Sequence, residues 1–164
     1  IFAPFAAAMV YGSLADAIST YHEECSKHDN PERRAMCSYF IHIADTPEEE
    51  AYGRESLIRY FHDALLAAFP SDIKKMPPTM HYFIEIVDIL KNMKPENLTG
   101  KSILTGSTQA IIEQLKEVEA SGVSEVILYF NYGLKPDSMV REQMDRFMRE
   151  IAPSFQGAHS SLKL

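Results

Sequence analysis

Ala35-Met36-Cys37-Ser38-Tyr39-Phe40-Ile41-His42-Ile43-Ala44, followed at once by Asp45-Thr46-Pro47-Glu48-Glu49, is the stretch on which the fold turns. Every residue from Ala35 to Ala44 is apolar or aromatic except Ser38 and His42. A strand with one wet face alternates between apolar and polar. A strand without that alternation is covered on both faces, which points to a parallel sheet. The next five residues start a helix. Thr46 is the N-cap, Pro47 takes the first helical position, where its missing N–H costs nothing, and Glu49 completes a capping box. The helix is expected to run to about Phe69, with Leu57, Phe61 and Leu65 on one face.

Upstream, a helix is expected from Ser13 to about His28. Its stripe of Leu14, Ala17, Ile18, Tyr21 and Cys25 recurs at the helical period, with Ser13 as cap. Before it, Phe2 to Phe5 is a short apolar run closed by small residues and Gly12, and Lys27 to Arg34 is a polar loop. Downstream, Pro70 to Leu104 is irregular, with Pro70, Pro77, Pro78 and Pro95 and one helical stretch from about Thr79 to Met93. That stretch has two apolar faces, Phe83/Val87/Leu90 and Tyr82/Ile86/Ile89, so it is expected between layers or against a partner. A long insertion between regular units reads as a lid, about residues 70–101. Gly106-Ser107 then opens a helix to Ala120. Glu125 to Phe130 is a strand, Asn131-Tyr132-Gly133 turns, and a last helix runs from about Pro136 to Ile151. Its expected buried face is Val140, Met144, Phe147, Met148 and Ile151.

Strands alternating with helices predict an α/β fold with a parallel sheet and outer helices. The 164 residues make one domain; a complete (β/α)8 barrel needs about 250 residues. Three clear strands are therefore either a small open sheet or the final section of a barrel. Sixteen basic against 23 acidic residues, a net of -7 with the basic ones scattered, argue against nucleic acid as a partner. The apolar run Ile1 to Tyr11 is too short to cross a bilayer and lacks a cationic leader. Cys25 and Cys37 make no disulfide framework, so the expected compartment is the cytoplasm. The chain opens on Ile1 inside a strand-like run, which raises the expectation that its beginning is missing.

The chemistry candidates are few. Glycine-rich phosphate loops and a nucleophile elbow are absent from the sequence, and the six histidines show no metal-ligand spacing, so no metal is expected. Tyr21-His22-Glu23-Glu24-Cys25 points its residues in different directions around a helix and reads as a solvated face. Cys37, at the start of its strand, reads as an inert core thiol. His42 lies near the C-terminal end of its strand, the end where α/β barrels build active sites. It is the catalytic candidate, against the alternative of a core histidine bonded to backbone. Asn131 and Tyr132 follow the other strong strand at the same rim, and Phe2, Pro4 and Phe5 would share it from the first run. These five are the candidate cofactor contacts, against the alternatives of turn chemistry and ordinary packing.

Leu104-Thr105-Gly106-Ser107-Thr108-Gln109, then Ala120-Ser121-Gly122-Val123-Ser124-Glu125-Val126-Ile127-Leu128, then Phe147 through Pro153-Ser154-Phe155, resembles the C-terminal end of the bacterial luciferase-like flavin-dependent monooxygenases. Ser107-Thr108-Gln109 stands where that family usually has a Thr-Pro-Glu helix start, and the capping role is kept. The strand Cys37 to Asp45 looks like the family's seventh, and Ile1 to Phe5 like the end of its sixth. The resemblance implies the C-terminal part of a TIM barrel whose first five strands are absent. It implies an oxidoreductase using reduced FMN and O2 to oxygenate a small organic substrate, with a deazaflavin as the other possible cofactor. A separate flavin reductase and a dimer at full length are implied as well. Phe69 to Lys101 would be the family's mobile loop, keeping the flavin–oxygen adduct dry; Met76, Met80, Tyr82 and Phe83 have the apolar character for it. The resemblance also implies that the fragment alone is inactive. The alternatives are a non-catalytic flavin-binding protein of the same fold and an unrelated small α/β interaction domain.

Overall fold

The structure, a computed structural model, describes residues 14–29, 34–70, 72–100 and 102–155. The expected first strand, Phe2 to Phe5, lies outside them, and so does the cap at Ser13. Helix α1 is Leu14–Lys27, with Ile18 buried on the expected stripe. Strand β1 is Met36–Ile43, fully buried from Cys37 onward. Helix α2 is Pro47–Arg59. Its start is as the sequence dictates: Glu49 N–H donates to Thr46 Oγ1 while Glu49 Oε2 accepts from the backbone N–H of Thr46 and of Asp45. The same helix continues as a widened π turn over Tyr60–Leu65 and a tight 3-10 turn over Leu66–Ala68.

The segment after it holds short 3-10 turns at Ile73–Lys75, Pro78–Phe83 and Pro95–Asn97 around helix α3, Ile84–Asn92. Proline at positions 77, 78 and 95 prevents longer helices there. On α3, Val87 and Leu90 are buried, but Ile89 on the second apolar face is 40% exposed. Strand β2, Ile103–Gly106, comes next. Its first residues fall inside the segment expected to be irregular, because four residues are too few for a period to register. Helix α4, Thr108–Ala120, is capped by Ser107, whose hydroxyl accepts from Ala110 N–H. Strand β3 is Glu125–Tyr129, and helix α5 is Asp137–Arg146, continued by a π turn over Phe147–Ile151.

The three strands form one parallel sheet in the order β2-β1-β3. β3 pairs along the first part of β1, from Met36↔Glu125 to Phe40↔Tyr129. β2 pairs only along its C-terminal half, from Phe40↔Ile103 to Ile43↔Gly106. Successive strands β2 and β3 thus lie on opposite sides of β1, where a closed barrel would set each strand beside the next.

Both faces of β1 are covered, as its unbroken apolar character required, while Ile127 and Tyr129 of the edge strand β3 are exposed. Cys37, Tyr39, Ile41 and Ile43 face a core built with Ile18 of α1 and Ile111, Leu115 and Val118 of α4. Phe40 faces a second core with Leu57 and Phe61 of α2, Leu90 of α3 and Tyr132. Each fully buried Leu, Ile or Phe is worth roughly 1.5–3 kcal/mol, so the two clusters hold the sheet from both sides. The sheet is open, with helices on both faces, whereas a barrel keeps one face for its lumen.

One expected face is corrected. On α5 the buried residues are Val140, Gln143 and Ile151, while Met144 and Met148 are exposed. Gln143 takes the inward position because the end of β1 needs hydrogen bonds: its amide accepts from Ile43 N–H at 2.7 Å and donates to Ile43 C=O at 3.0 Å. A methionine could do neither.

Candidate functional site

The rim formed by the C-terminal end of β1 and the turn after β3 gathers the polar groups that the cores exclude. His42 is 3% exposed. Its ring lies across α2 at Gly53, where a side chain of any kind would collide: a Cβ there would sit 2.5 Å from His42 Cδ2. The Tyr52 ring stands 5.8 Å away, and the His42 carbonyl accepts from Thr105 Oγ1 on β2. Burial pushes the imidazole pKa down to about 4, helped by the nearby Lys135 charge and opposed by Glu49. The ring is therefore neutral at physiological pH, and its Nδ1 has no hydrogen-bond partner among the described residues.

Gly133 and Leu134 both adopt positive φ, +65° and 59°. Glycine takes this conformation without strain; leucine does so at a cost of about 1 kcal/mol. The reward is placement. Gly133 lies so close to Ser56 that a Cβ would fall 2.1 Å from its carbonyl oxygen. The two left-handed residues turn Leu134 out, 89% exposed, and Lys135 in, 7% exposed. The Lys135 ammonium sits 3.5 Å from the centre of the Tyr132 ring and donates to the Phe130 carbonyl at 3.3 Å. It forms no ion pair with a carboxylate among the described residues. Burial pulls its pKa down to about 7. Tyr132, 2% exposed, packs edge-on against Phe40, and burial drives its phenol well above the ordinary tyrosine range. The Tyr132 hydroxyl and Ser56 Oγ, like His42 Nδ1, are buried without a partner. Such atoms each cost about 1–3 kcal/mol and concentrate where a protein has chemistry to do.

Above His42 a cavity of about 310 Å³ opens between the first turns of α2 and α5, lined in part by Glu48, Glu49, Tyr52, Met139 and Glu142. Beside it, Arg146 ties the rim together: its guanidinium donates to Asp45 on the loop after β1, to Glu150 and to Thr108 at the start of α4. The arrangement can hold a small molecule against a neutral imidazole. Around that imidazole stand a lysine that exchanges its proton near pH 7 and a buried phenol.

His42 and Tyr132, singled out separately in the sequence, lie at the same rim; Lys135 stands on the Tyr132 ring and its charge reaches His42. Asn131 is exposed at the same turn. Phe2, Pro4 and Phe5 lie outside the described residues. Sequence reasoning missed Lys135, Tyr52 and Gly53. A lone lysine two residues beyond a turn glycine carries no signal of burial, and Gly53 in mid-helix was the one legible hint, since glycine there weakens a helix unless something needs the space. Cys37 is buried at the opposite end of β1, its thiol pushed up to about 11, which suits a core position. No family model, curated protein or solved structure matches this chain. No group of His, Cys, Asp and Glu able to hold a metal occurs among the described residues, and no described helix is long and apolar enough to cross a membrane.

Proposed function

We propose that this chain carries the closing portion of a luciferase-like flavin-dependent monooxygenase, an oxidoreductase that uses reduced FMN and O2 on a small organic substrate. The observation that carries the reading is the meeting of His42 and Tyr132 at one strand rim, with three buried polar atoms left for a ligand. A second observation supports it: the two strands that resemble the seventh and last of that barrel, β1 and β3, pair side by side and in parallel. Among the described residues β2 pairs with β1 only from Phe40 to Ile43, and Met36 to Tyr39 on that flank is the length on which a preceding strand would pair in this reading. The barrel itself is part of the proposal.

The rim residues fit the edge of a flavin ring better than its phosphate. They offer a neutral imidazole, a phenol and one amine, while the cavity lining carries carboxylates and no Lys or Arg. Bound flavin supplies the activation of oxygen. The chain's own residues supply the surroundings. The Gly53 face of α2 and the Tyr52 ring pack on His42 and keep water from it. The neutral imidazole offers an acceptor at Nδ1, and Lys135 Nζ takes or gives a proton near pH 7. The 70–101 segment, whose own Met76 is buried, is the covering lid in this reading.

The order β2-β1-β3 with helices on both faces favours a second reading, a self-contained flavin-binding α/β protein without oxygenase activity. One experiment separates the two. In the product of the complete reading frame, supplied with reduced flavin and O2, His42→Ala should slow oxygenation or raise hydrogen peroxide release per folded molecule, beyond the loss of stability that removing a buried ring brings. Loss of stability with unchanged turnover per folded molecule would make His42 a core residue only.

A further inference from the structure

We propose that Lys135 is held as a free amine, a nucleophile that captures a small aldehyde as an imine; the inference goes beyond the flavin reading and stands without it. Gly133 and Leu134 take left-handed backbone conformations that leave Leu134 outside, 89% exposed, and carry Lys135 inside. Two contacts hold the side chain there. Nζ lies 3.5 Å over the centre of the Tyr132 ring and donates to the Phe130 carbonyl at 3.3 Å. No carboxylate pairs with it among the described residues. An ion pair would lock the nitrogen in its ammonium form, which has three N–H donors and no lone pair to give. Desolvation without a counter-charge does the opposite, and burial brings the Lys135 pKa down to about 7. The titratable neighbours leave this in place. Burial keeps the Tyr132 phenol protonated, and His42, which feels the Lys135 charge from β1, is a neutral imidazole.

The step needs no co-reactant beyond the aldehyde. The Nζ lone pair attacks the carbonyl carbon, a C–N bond forms, and the C=O electron pair moves onto oxygen. A proton passes from nitrogen to that oxygen, and the carbinolamine then loses water to leave a C=N bond. The ring beneath the amine helps twice. Its own hydroxyl is buried without a hydrogen-bond partner among the described residues, so it is free to donate to the carbinolamine oxygen as water departs. Its face attracts a cation, so it stabilises a protonated imine as it does the ammonium. Burial restricts the partner to a short, unbranched aldehyde, since only 7% of the Lys135 surface meets solvent.

The test is reductive trapping. Propanal and cyanoborohydride are added, without flavin, to the product of the complete reading frame, and propylated lysines are located and timed by peptide mass spectrometry. At pH 7 an amine with its pKa near 7 is half neutral, while one at the ordinary lysine value is neutral in about 1 molecule in 2500. A less basic amine is a weaker nucleophile and burial slows access, so that advantage shrinks. Lys135 should still be propylated at least about fivefold faster at pH 7 than the exposed Lys74, Lys91, Lys94 and Lys116. The ratio of Lys135 to surface labelling should fall about tenfold from pH 6 to pH 8, because the neutral fraction of an ordinary lysine rises about a hundredfold over that range and that of Lys135 about tenfold. Lys135→Met should lose the fast adduct and keep the slow ones. Labelling of Lys135 no faster than the exposed lysines, labelling only once urea unfolds the chain, or a ratio unchanged between pH 6 and pH 8 would overturn the proposal. Because no flavin is present, each of these results is independent of whether the protein is an oxygenase.

Discussion

Lys135→Met should stabilise the protein at neutral pH, and by an amount that shrinks as pH rises. The Lys135 residue is 7% exposed, its amine having a carbonyl and a ring face as partners and no counter-charge among the described residues. Its pKa falls from 10.5 to about 7 on folding. Between those values the unfolded chain holds a proton that the folded chain has released, so stability rises with pH across that window. At pH 7 the burial costs about 4 kcal/mol, and at pH 9 about 2 kcal/mol, from 1.36 kcal/mol per pKa unit. Methionine fills most of the stem's volume without the charge. Against that gain stand the lost ring contact and hydrogen bond, together about 1–2 kcal/mol. The variant should therefore be about 2–3 kcal/mol more stable at pH 7 and about equal to wild type at pH 9. Urea unfolding followed by circular dichroism at both pH values measures this. Titrations of Cys37 and Tyr39, both pushed up by burial, are common to the two proteins and cancel in the difference. A variant less stable at pH 7, or a difference that does not change between pH 7 and 9, would refute the reasoning.

Three further outcomes follow from single contacts. Gly53→Ala should destabilise by about 1–3 kcal/mol in thermal or urea unfolding, because the new Cβ meets the His42 ring; a gain of about 1 kcal/mol, the usual helix preference for alanine, would show that the ring gives way freely. Gln143→Leu should cost about 2–4 kcal/mol, since it strands both the N–H and the C=O of Ile43; a loss under about 0.5 kcal/mol in urea would mean water replaces the amide. At pH 8 a thiol reagent should label Cys25 in the native protein and Cys37 only after denaturation, given that Cys37 is buried with its pKa near 11; two fast native thiols would contradict the packing of β1.

What the sequence made legible is what short-range chemistry decides. The Thr46-Pro47-Glu49 start needed only its own neighbours, and the cap and both reciprocal bonds are there. The unbroken apolar run of β1 announced two covered faces, and two cores cover it. β2 escaped because four residues carry no period, and its place was settled by Phe40 to Ile43 on a strand sixty residues away. Met144 and Met148 looked like core and Gln143 did not, since hydrophobicity says nothing about a strand end that needs an amide. At the site, His42 stood out as a polar break in an apolar strand. Lys135 did not, because its burial depends on two left-handed residues and on how closely Gly133 meets α2.

The flavin reading is tested most directly by titrating flavin mononucleotide, with flavin fluorescence as the signal, into the product of the complete reading frame and, in parallel, into the 164-residue chain. The account predicts micromolar binding by the complete product and none measurable by the chain alone, because a preformed flavin pocket requires rim loops beyond β1 and β3. Tight flavin binding by the 164-residue chain as a monodisperse monomer would replace the barrel with the compact flavin-binding protein, and no binding by either would contradict the flavin reading altogether.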